Sequence, residues 1–263
     1  MKVLFIGDIF GNLGRRILAE KLKGLLKEHS ADVCIANAEN AAGGWGCTIN
    51  ILKKLRKYGV HIVTGGNHSL ANQDIIPALD SDPALLRPLN FPPGNPGTGK
   101  TFYTLEDGRK IGIVNLHGRT FFPEAHDCPF RLGKEAIEEL RKETPVIIVD
   151  FHAEASSEKS AFAQYIDGKA SAVLGTHTHV QTADERILPG GTAFITDVGM
   201  TGPEHSVIGM KTKTIVRRFL LQTPVRFEPS NDGPMLNAVV LDINDESGKA
   251  ESITRIYQRV TLA

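Results

Sequence analysis

The sequence predicts a mixed α/β fold that begins with a parallel sheet and later adds antiparallel hairpins. Short apolar runs alternate with amphipathic segments through the first quarter of the chain. Asp107-Gly108 separates two strand-like runs in the middle, and "DESGK" separates two more near the C-terminus. The alternation is typical of parallel strands joined by right-handed helical crossovers, whereas Asp-Gly turns are typical of antiparallel hairpins.

The first quarter of the chain gives the clearest assignment of elements. "KVLFIG" is predicted as a buried strand because it is short, apolar and ended by glycine. "GRRILAEKLKGLLKEHS" has apolar residues at helical spacing, and "ADVCIANAEN" is the second strand. Thr48 caps the next helix and Gly59 ends it, before the third strand begins in "VHIVTGGNH".

The rest of the chain continues the alternation, after a Pro/Gly-rich loop. The predicted elements, in order, are the loop "PLNFPPGNPGTGK", a hairpin in "TFYTLEDGRKIGIVNLHG", a helix in "LGKEAIEELRKE", a strand in "PVIIVDFHAE", a helix in "SEKSAFAQYIDGK", a strand in "ASAVLGTHTHV" and a hairpin of "MLNAVVLDIN" with "AESITRIYQRV". Residues 203–229 fit none of these patterns, and we predict that they form a cap or insertion. No internal repeat divides residues 1–263, which we predict to be a single domain with a mixed β core, parallel in its first half, and helices outside.

Composition excludes several classes of protein. Thirty basic and 30 acidic residues give a net charge of zero, which argues against a duplex nucleic acid partner but not against a nucleotide held in one site. The N-terminal apolar run is too short for a signal peptide, and no run approaches the roughly 18 apolar residues of a membrane span. Three widely spaced cysteines without a C-x-x-C pair favour a reduced environment. We therefore expect a cytoplasmic protein with no membrane partner.

Polar side chains follow five of the predicted strands at the point where each strand ends. In open α/β sheets, ligands bind beyond the carboxyl ends of the strands. Each of these side chains alone has a structural explanation, such as helix capping or turn formation. Their concentration at one edge of the sheet favours a shared site. The eight residues are Asp8, Glu39, Asn40, Asn67, His68, His152, His177 and His179.

The chemistry of this set points to metal ions. Carboxylate, amide and imidazole donors without sulfur suit manganese, iron or zinc. Eight donors exceed what one tetrahedral ion requires, so we predict two ions that share a bridging carboxylate. Such pairs lie about 3.5–4 Å apart and clamp the attacking and leaving oxygens of a displacement at phosphorus.

The same residues occur in motifs that resemble the calcineurin-like metallophosphoesterases, and more closely the YmdB-type bacterial 2′,3′-cyclic nucleotide phosphodiesterases. The motifs are "GDIFG", "NAENAAGG", "GGNH", "DFHAE" and "GTHTHVQTAD", in this order. The resemblance implies a four-layer αββα sandwich of two mixed β-sheets flanked by helices. It also implies a cytoplasmic hydrolase that acts on small-molecule phosphodiesters, 2′,3′-cyclic nucleotides in particular, with two metal ions per chain, iron or manganese.

The resemblance further divides the eight side chains between two metal ions and one catalytic residue. His68 would stay free of metal and either protonate the leaving oxygen or stabilise charge at phosphorus. Glu39 would bridge the two ions, and a metal-bridging hydroxide would attack in line. One ion would be held by Asp8, Glu39, Asn40 and His179, and the other by Glu39, Asn67, His152 and His177.

Three positions depart from the pattern of the wider superfamily. Phe10 stands where its first motif, D-x-H, has histidine, and Glu39 stands where the bridging ligand is usually aspartate. We infer that Asn40 replaces the missing ligand, as the YmdB-type resemblance implies. Ser69 follows "GGNH" where an acidic residue is common, so His68 lacks that neighbour to hold its tautomer.

The sequence also contains features of other functions. Gly94, Gly99, Lys100 and Thr101 match the P-loop pattern, but a strand-like run follows where a P-loop requires a helix, so a P-loop nucleotide hydrolase is disfavoured. A phosphomonoesterase, a protein phosphatase, or a regulator that binds metal and nucleotide with incidental catalysis would use the same site. The sequence also leaves open whether the chain forms a homo-oligomer.

Overall fold

The computed structural model describes residues 1–262 and contains two β-sheets with helices on their outer faces. The strands are β1 (Lys2–Ile6), β2 (Asp8–Ile9), β3 (Val33–Asn37), β4 (Ile62–Thr64), β5 (Lys100–Thr104), β6 (Lys110–His117), β7 (Ile147–His152), β8 (Ala172–Thr176), β9 (Arg186–Ile187), β10 (Ala193–Ile195), β11 (Met200–Pro203), β12 (Pro234–Ile243) and β13 (Ala250–Arg259). The helices are α1 (Gly11–Glu28), α2 (Ile49–Tyr58), α3 (Ile76–Ser81), α4 (Pro129–Leu140), α5 (Ser156–Tyr165) and α6 (Thr212–Leu221). A 3₁₀ turn at Gln73–Ile75 precedes α3.

The first sheet has seven strands in the order β2-β11-β12-β1-β3-β4, with β13 also paired to β12. β1, β3 and β4 are parallel, as the alternation of strands and helices predicts. The C-terminal hairpin of β12 and β13 joins this sheet because β12 pairs antiparallel with β1. Strands from both ends of the chain therefore form one sheet.

The second sheet has six strands in the order β5-β6-β7-β8-β10-β9. β5 and β6 form the antiparallel hairpin predicted at Asp107-Gly108. β6, β7, β8 and β10 are parallel, so parallel pairing extends beyond the first half of the chain, where it was predicted. The helices α4 and α5 provide the crossovers that allow parallel pairing here.

The side chains of single strands alternate between two hydrophobic layers. In β1, Val3 and Phe5 pack between the sheets, whereas Leu4 and Ile6 pack on the side covered by α1 and α2. In β7, Ile148 lies between the sheets while its neighbours face α4 and α5. The layers are thus helices, sheet, sheet and helices, which confirms the predicted αββα sandwich.

Local chemistry explains several boundaries. The Thr48 hydroxyl accepts a hydrogen bond from the Ile51 backbone N–H at 3.3 Å, and Gly59 ends α2 with φ of 117°, a left-handed conformation that favours glycine. Lys100 begins strand β5 and pairs with Glu139, and no helix follows it. The P-loop interpretation therefore lacks its required context.

Residues 203–229 contain the end of β11, helix α6 and an extended segment. The single domain over residues 1–263 and the cap at residues 203–229 remain predictions. Ala263, the last residue of the predicted domain, lies outside the described residues. Within residues 1–262, every helix is too short or too polar to traverse a lipid bilayer.

Candidate metal centre

The carboxyl ends of parallel strands from both sheets meet at one edge of the molecule. The eight predicted site residues all stand there: His152 ends β7, the others follow β1, β3, β4 or β8 within four residues, and Asp8 also begins β2. Gly66 gives these side chains room, because a Cβ at this position would lie 2.3 Å from His152 Nε2 and 2.5 Å from Glu39 Oε2. The absence of a side chain at Gly66 therefore allows the His152 imidazole and the Glu39 carboxylate to lie close to the turn after β4.

Glu39 lies at the centre of this cluster, and its two oxygens face different neighbours. Oε2 is 3.3 Å from His152 Nε2 and accepts a hydrogen bond from the His68 backbone N–H at 3.0 Å. Oε1 accepts from Asn40 Nδ2 at 2.7 Å. Ligand atoms of Glu39, His152 and His177 all lie within 4.8 Å of one another. This arrangement places Glu39 between the two predicted groups of ligands.

His152 and His177 each have one nitrogen directed at the cluster and the other at an acceptor behind it. Nδ1 of His152 donates to Thr176 Oγ1 at 2.9 Å, which leaves Nε2 at 3.0 Å from Asn67 Oδ1. Nε2 of His177 lies 3.1 Å from Glu154 Oε2, and its Nδ1 lies 3.1 Å from His152 Nε2. Acceptors of this kind fix the tautomer of metal-ligating histidines and leave the inward nitrogen free of its proton.

His179 is held in the same way by a backbone carbonyl. Its Nδ1 donates to the Ile208 carbonyl oxygen at 2.9 Å. Its Nε2 lies 3.0 Å from Asn40 Nδ2 and 3.9 Å from Asp8 Oδ1. Three imidazoles therefore present one nitrogen each to a common region, which is an arrangement that cations stabilise.

Asp8 supplies a second indication that the site fits a cation. Its side chain is buried, and Oδ2 accepts from the His177 backbone N–H at 3.1 Å. Among the described residues, Oδ1 finds no hydrogen-bond partner. Burial raises the pKa of Asp8 to about 6, against the opposing effect of His179 and His152. An unpaired buried carboxylate oxygen is costly, and a metal ion would satisfy it.

The charges of Glu39 and His152 depend on each other. Burial alone would raise the pKa of Glu39, but its contacts with His152 and His68 hold this pKa well below the usual range. Burial opposes the charged form of His152, yet the Glu39 carboxylate raises the His152 pKa to about 9. Burial and the neighbouring His152 lower the pKa of His177 to about 2. The cluster thus favours a positive charge beside Glu39, which a metal ion would supply in place of a proton.

His68 lies beside the cluster with its ring fixed from two sides. Nδ1 donates to Asn40 Oδ1 at 3.1 Å and is 3.5 Å from Glu39 Oε1. The indole of Trp45 lies against the ring, with centroids 4.1 Å apart and the two planes tilted by 33°. Asn40 therefore provides the acceptor that Ser69 does not, because the Ser69 hydroxyl donates to the Gly66 carbonyl instead.

The amide of Asn40 connects the two histidines on either side of it. In this structure Nδ2 faces His179 and Glu39, and Oδ1 faces His68. A carboxamide binds metal through oxygen. To act as a ligand, the Asn40 amide would therefore turn by half a rotation so that Oδ1 takes the position of Nδ2. The two atoms are similar in size, so the turned amide occupies the same space.

A strained loop carries the His177 and His179 side chains. Their φ angles are 102° and 66°, in the left-handed region that residues with a Cβ rarely adopt. Between them, the Thr178 backbone N–H and hydroxyl donate to Asp197 Oδ2 at 3.0 and 2.7 Å. Lys159 Nζ donates to the same oxygen at 2.8 Å, and the Lys159 and Asp197 side chains are fully buried. This ion pair stabilises the backbone conformation that the two histidines need.

A buried carboxylate also connects the two sheets behind the site. Asp150 Oδ2 accepts from Asn37 Nδ2 at 2.9 Å and from the Thr64 hydroxyl at 2.5 Å, and both donors belong to the first sheet. Asp150 Oδ1 accepts from Thr176 Oγ1 at 2.7 Å in the second sheet. His152 is thus connected by its hydrogen bond with Thr176 to Asp150, which lies between the two sheets.

A cavity of about 640 Å³ opens beside the cluster, in the size range of small-molecule sites. Side chains of the cluster form one part of its wall, and residues 207–227 form another. The second group consists of Val207, Ile208, Met210, Ile215, Arg218, Phe219 and Phe227.

Comparison with known proteins identifies the family. The model of the family described as YmdB-like protein matches residues 4–256. The chain belongs to the YmdB-like family. This result confirms the resemblance found in the sequence motifs.

Several proteins are similar to this YmdB-like chain over nearly its full length. A 2′,3′-cyclic-nucleotide 2′-phosphodiesterase of Bacillus subtilis (strain 168) is 48% identical over 256 residues, which are 97% of this chain and 96% of that protein. A crystal structure of a hypothetical protein from Thermus thermophilus has a TM-score of 0.91 at 40% identity and covers 98% of this chain and 99% of its own. A novel phosphatase from Mycoplasma pneumoniae has a TM-score of 0.92 at 37% identity, with coverages of 98% and 93%.

Proposed function

We propose that this protein is a dinuclear metal-dependent phosphodiesterase that hydrolyses 2′,3′-cyclic nucleotides. The observation that carries the proposal is the set of three imidazoles, each fixed from behind: His152 and His177 turn one nitrogen toward Glu39, and His179 turns one toward Asp8. The name of the Bacillus subtilis relative supports the choice of substrate. The buried Asp8 Oδ1, which has no hydrogen-bond partner among the described residues, also supports a bound cation.

The proposed ligands follow the two sides of Glu39. One ion would be held by Asp8, Glu39, Asn40 and His179, and the other by Glu39, Asn67, His152 and His177. Oxygen and nitrogen donors without sulfur support iron or manganese. When bound, the ions would activate water for attack at phosphorus and neutralise charge on the phosphoryl oxygens.

His68 is proposed to act on the leaving group. In the orientation that lets Asn40 bind metal through Oδ1, its Nδ2 would face His68 Nδ1 and donate to it, so the proton given to the leaving oxygen is the one on Nε2. Trp45 prevents the ring from rotating away. Glu39 Oε1 is the other neighbour of His68 Nδ1, at 3.5 Å.

Residues 203–229 are proposed to be the cap of this site. The Ile208 carbonyl accepts from His179, and the segment contributes part of the cavity wall. The three cysteines, Cys34, Cys47 and Cys128, are free thiols, which supports a reduced cytoplasmic environment for this reaction.

Metal analysis combined with a substrate panel tests the proposal. We expect two metal ions per chain in protein purified with iron or manganese, and faster hydrolysis of 2′,3′-cyclic nucleotides than of 3′,5′-cyclic nucleotides or monoesters. Chelation should abolish turnover, and added metal should restore it. A stoichiometry well below two would contradict the proposed centre, and a preference for monoesters would favour a phosphomonoesterase.

Replacement of His68 separates catalysis from metal binding. We expect His68→Ala to keep both ions and to lower kcat about 100-fold or more, the usual contribution of a general acid. The exposed His205 provides the control, because His205→Ala removes an imidazole that pairs with Asp232 and does not line the cavity. Metal content and steady-state kinetics measure the outcome. Full turnover by His68→Ala would show that this residue is not the acid.

A further inference from the structure

Large apolar side chains of the cap stand exposed at the cavity. Ile208, Phe219 and Phe227 are 53%, 77% and 49% exposed, although all three line the cavity that contains the metal cluster. Apolar side chains grouped in this way around a site mark a surface for a ligand. Their continuity with the cluster indicates that one ligand contacts both.

The geometry of α6 explains how these side chains are presented. Ile215 is buried and anchors the helix, and Phe219 follows four residues later on the same side. Leu220 is equally exposed at 76%, but it does not line the cavity. The helix thus has one row of side chains at the site and another row facing away from it.

The chemistry of the wall selects one part of a nucleotide. The apolar wall has no hydrogen-bonding side-chain groups at Ile208, Ile215, Phe219 and Phe227. Such a wall can contact the flat face of a ring but cannot form hydrogen bonds with the polar groups at the edge of that ring. Among the described residues that line the cavity, Arg218 is the one arginine or lysine, and it would attract an anion. A ribose or a phosphate alone would leave the apolar wall in water.

We propose that the cap carries a nucleobase subsite in which Phe219 and Phe227 stack on the base while the phosphodiester lies at the metal cluster. This inference rests on the proposed function and deepens it. Stacking on an aromatic ring is tolerant of base identity because every base has a π-face. The enzyme therefore requires a base but discriminates little among the four.

The test compares nucleotides with a substrate that has no base. The four nucleoside 2′,3′-cyclic monophosphates and methyl β-ribofuranoside 2′,3′-cyclic phosphate are assayed with metal-loaded wild type, Phe219→Ala, Phe219→Trp and Leu220→Ala. For wild type we expect kcat/KM values within about threefold among the bases, and at least about tenfold lower for the riboside, given typical stacking energies. Phe219→Ala should reduce the nucleotide-to-riboside ratio severalfold, Phe219→Trp should preserve it, and Leu220→Ala should leave it unchanged.

Several outcomes would overturn the base subsite. One is equal hydrolysis of the riboside and the nucleotides by the wild type. Another is an equal loss of both activities in Phe219→Ala, which would show that the apolar wall stabilises the cap and does not bind the base. A change of oligomeric state in Phe219→Ala, measured by light scattering, with an unchanged ratio would assign it to self-association. Failure of wild type on every diester would instead remove the proposed function, and the subsite with it.

Discussion

Glu39→Gln is expected to lose metal and turnover together. The two carboxylate oxygens face different sides of the cluster, so one substitution would weaken both proposed ion sites. The neutral amide also removes the charge that keeps the pKa of His152 near 9. We expect phosphodiesterase activity to fall to background, well beyond the roughly 10- to 100-fold cost of changing a residue that only supports a ligand. Metal content and kcat/KM measure the effect.

Two controls make this result specific. Glu246→Gln makes the same chemical change in the exposed turn between β12 and β13, and should keep wild-type metal content and rate. Circular dichroism should show that Glu39→Gln keeps its secondary structure. Two ions and near wild-type turnover in Glu39→Gln would eliminate Glu39 as the bridging ligand.

Asp197→Ala is expected to cause the largest loss of stability among the proposed variants. It leaves the ammonium group of Lys159 buried without its counter-ion and removes the acceptor of both Thr178 donors. Removing one partner of a buried ion pair costs about 3–5 kcal/mol. The free energy of unfolding of the metal-free protein should fall by this amount, as measured by urea denaturation.

A double variant separates stability from the positioning of the histidines. Lys159→Met combined with Asp197→Leu removes both buried charges and should regain part of the stability. It does not restore the acceptor for Thr178, so metal affinity should stay low. A loss below about 1 kcal/mol in Asp197→Ala, or full metal affinity in the double variant, would contradict a role for this pair in holding the loop.

The positions of β1, β3, β4, β6, β7 and β8 were predictable from the sequence because each is a compact apolar run, whereas the short strands β2, β9, β10 and β11 were not predicted. The arrangement of the strands in two sheets was not, apart from the family resemblance. Val3, Leu4, Phe5 and Ile6 are apolar on both faces of β1, and such a run shows burial on both sides without showing what covers each side. Helix α6 was missed because Lys211, at its N-cap, makes no side-chain capping bond and gives no start signal.

The side chains that meet at the candidate site were predictable as a group, whereas the groups that support them were not. The eight residues stand at strand ends, which the sequence marks clearly. Lys159 lies in a helical segment where a lysine usually faces solvent, and its partner Asp197 is 38 residues away. The acceptor for His179 is a backbone carbonyl of Ile208, which any residue at that position would supply. Sequence patterns do not encode such contacts.

The bond between His179 and the Ile208 carbonyl has a consequence for biosynthesis. Asp8 leaves the ribosome early, but its contact with the His177 backbone joins residues 169 positions apart. At about 5–20 residues per second, translation from Asp8 to Ile208 takes roughly 10–40 s. During that interval the nascent chain exposes carboxylates and imidazoles without a formed centre. Assembly of the candidate site therefore depends on emergence of the cap from the ribosome.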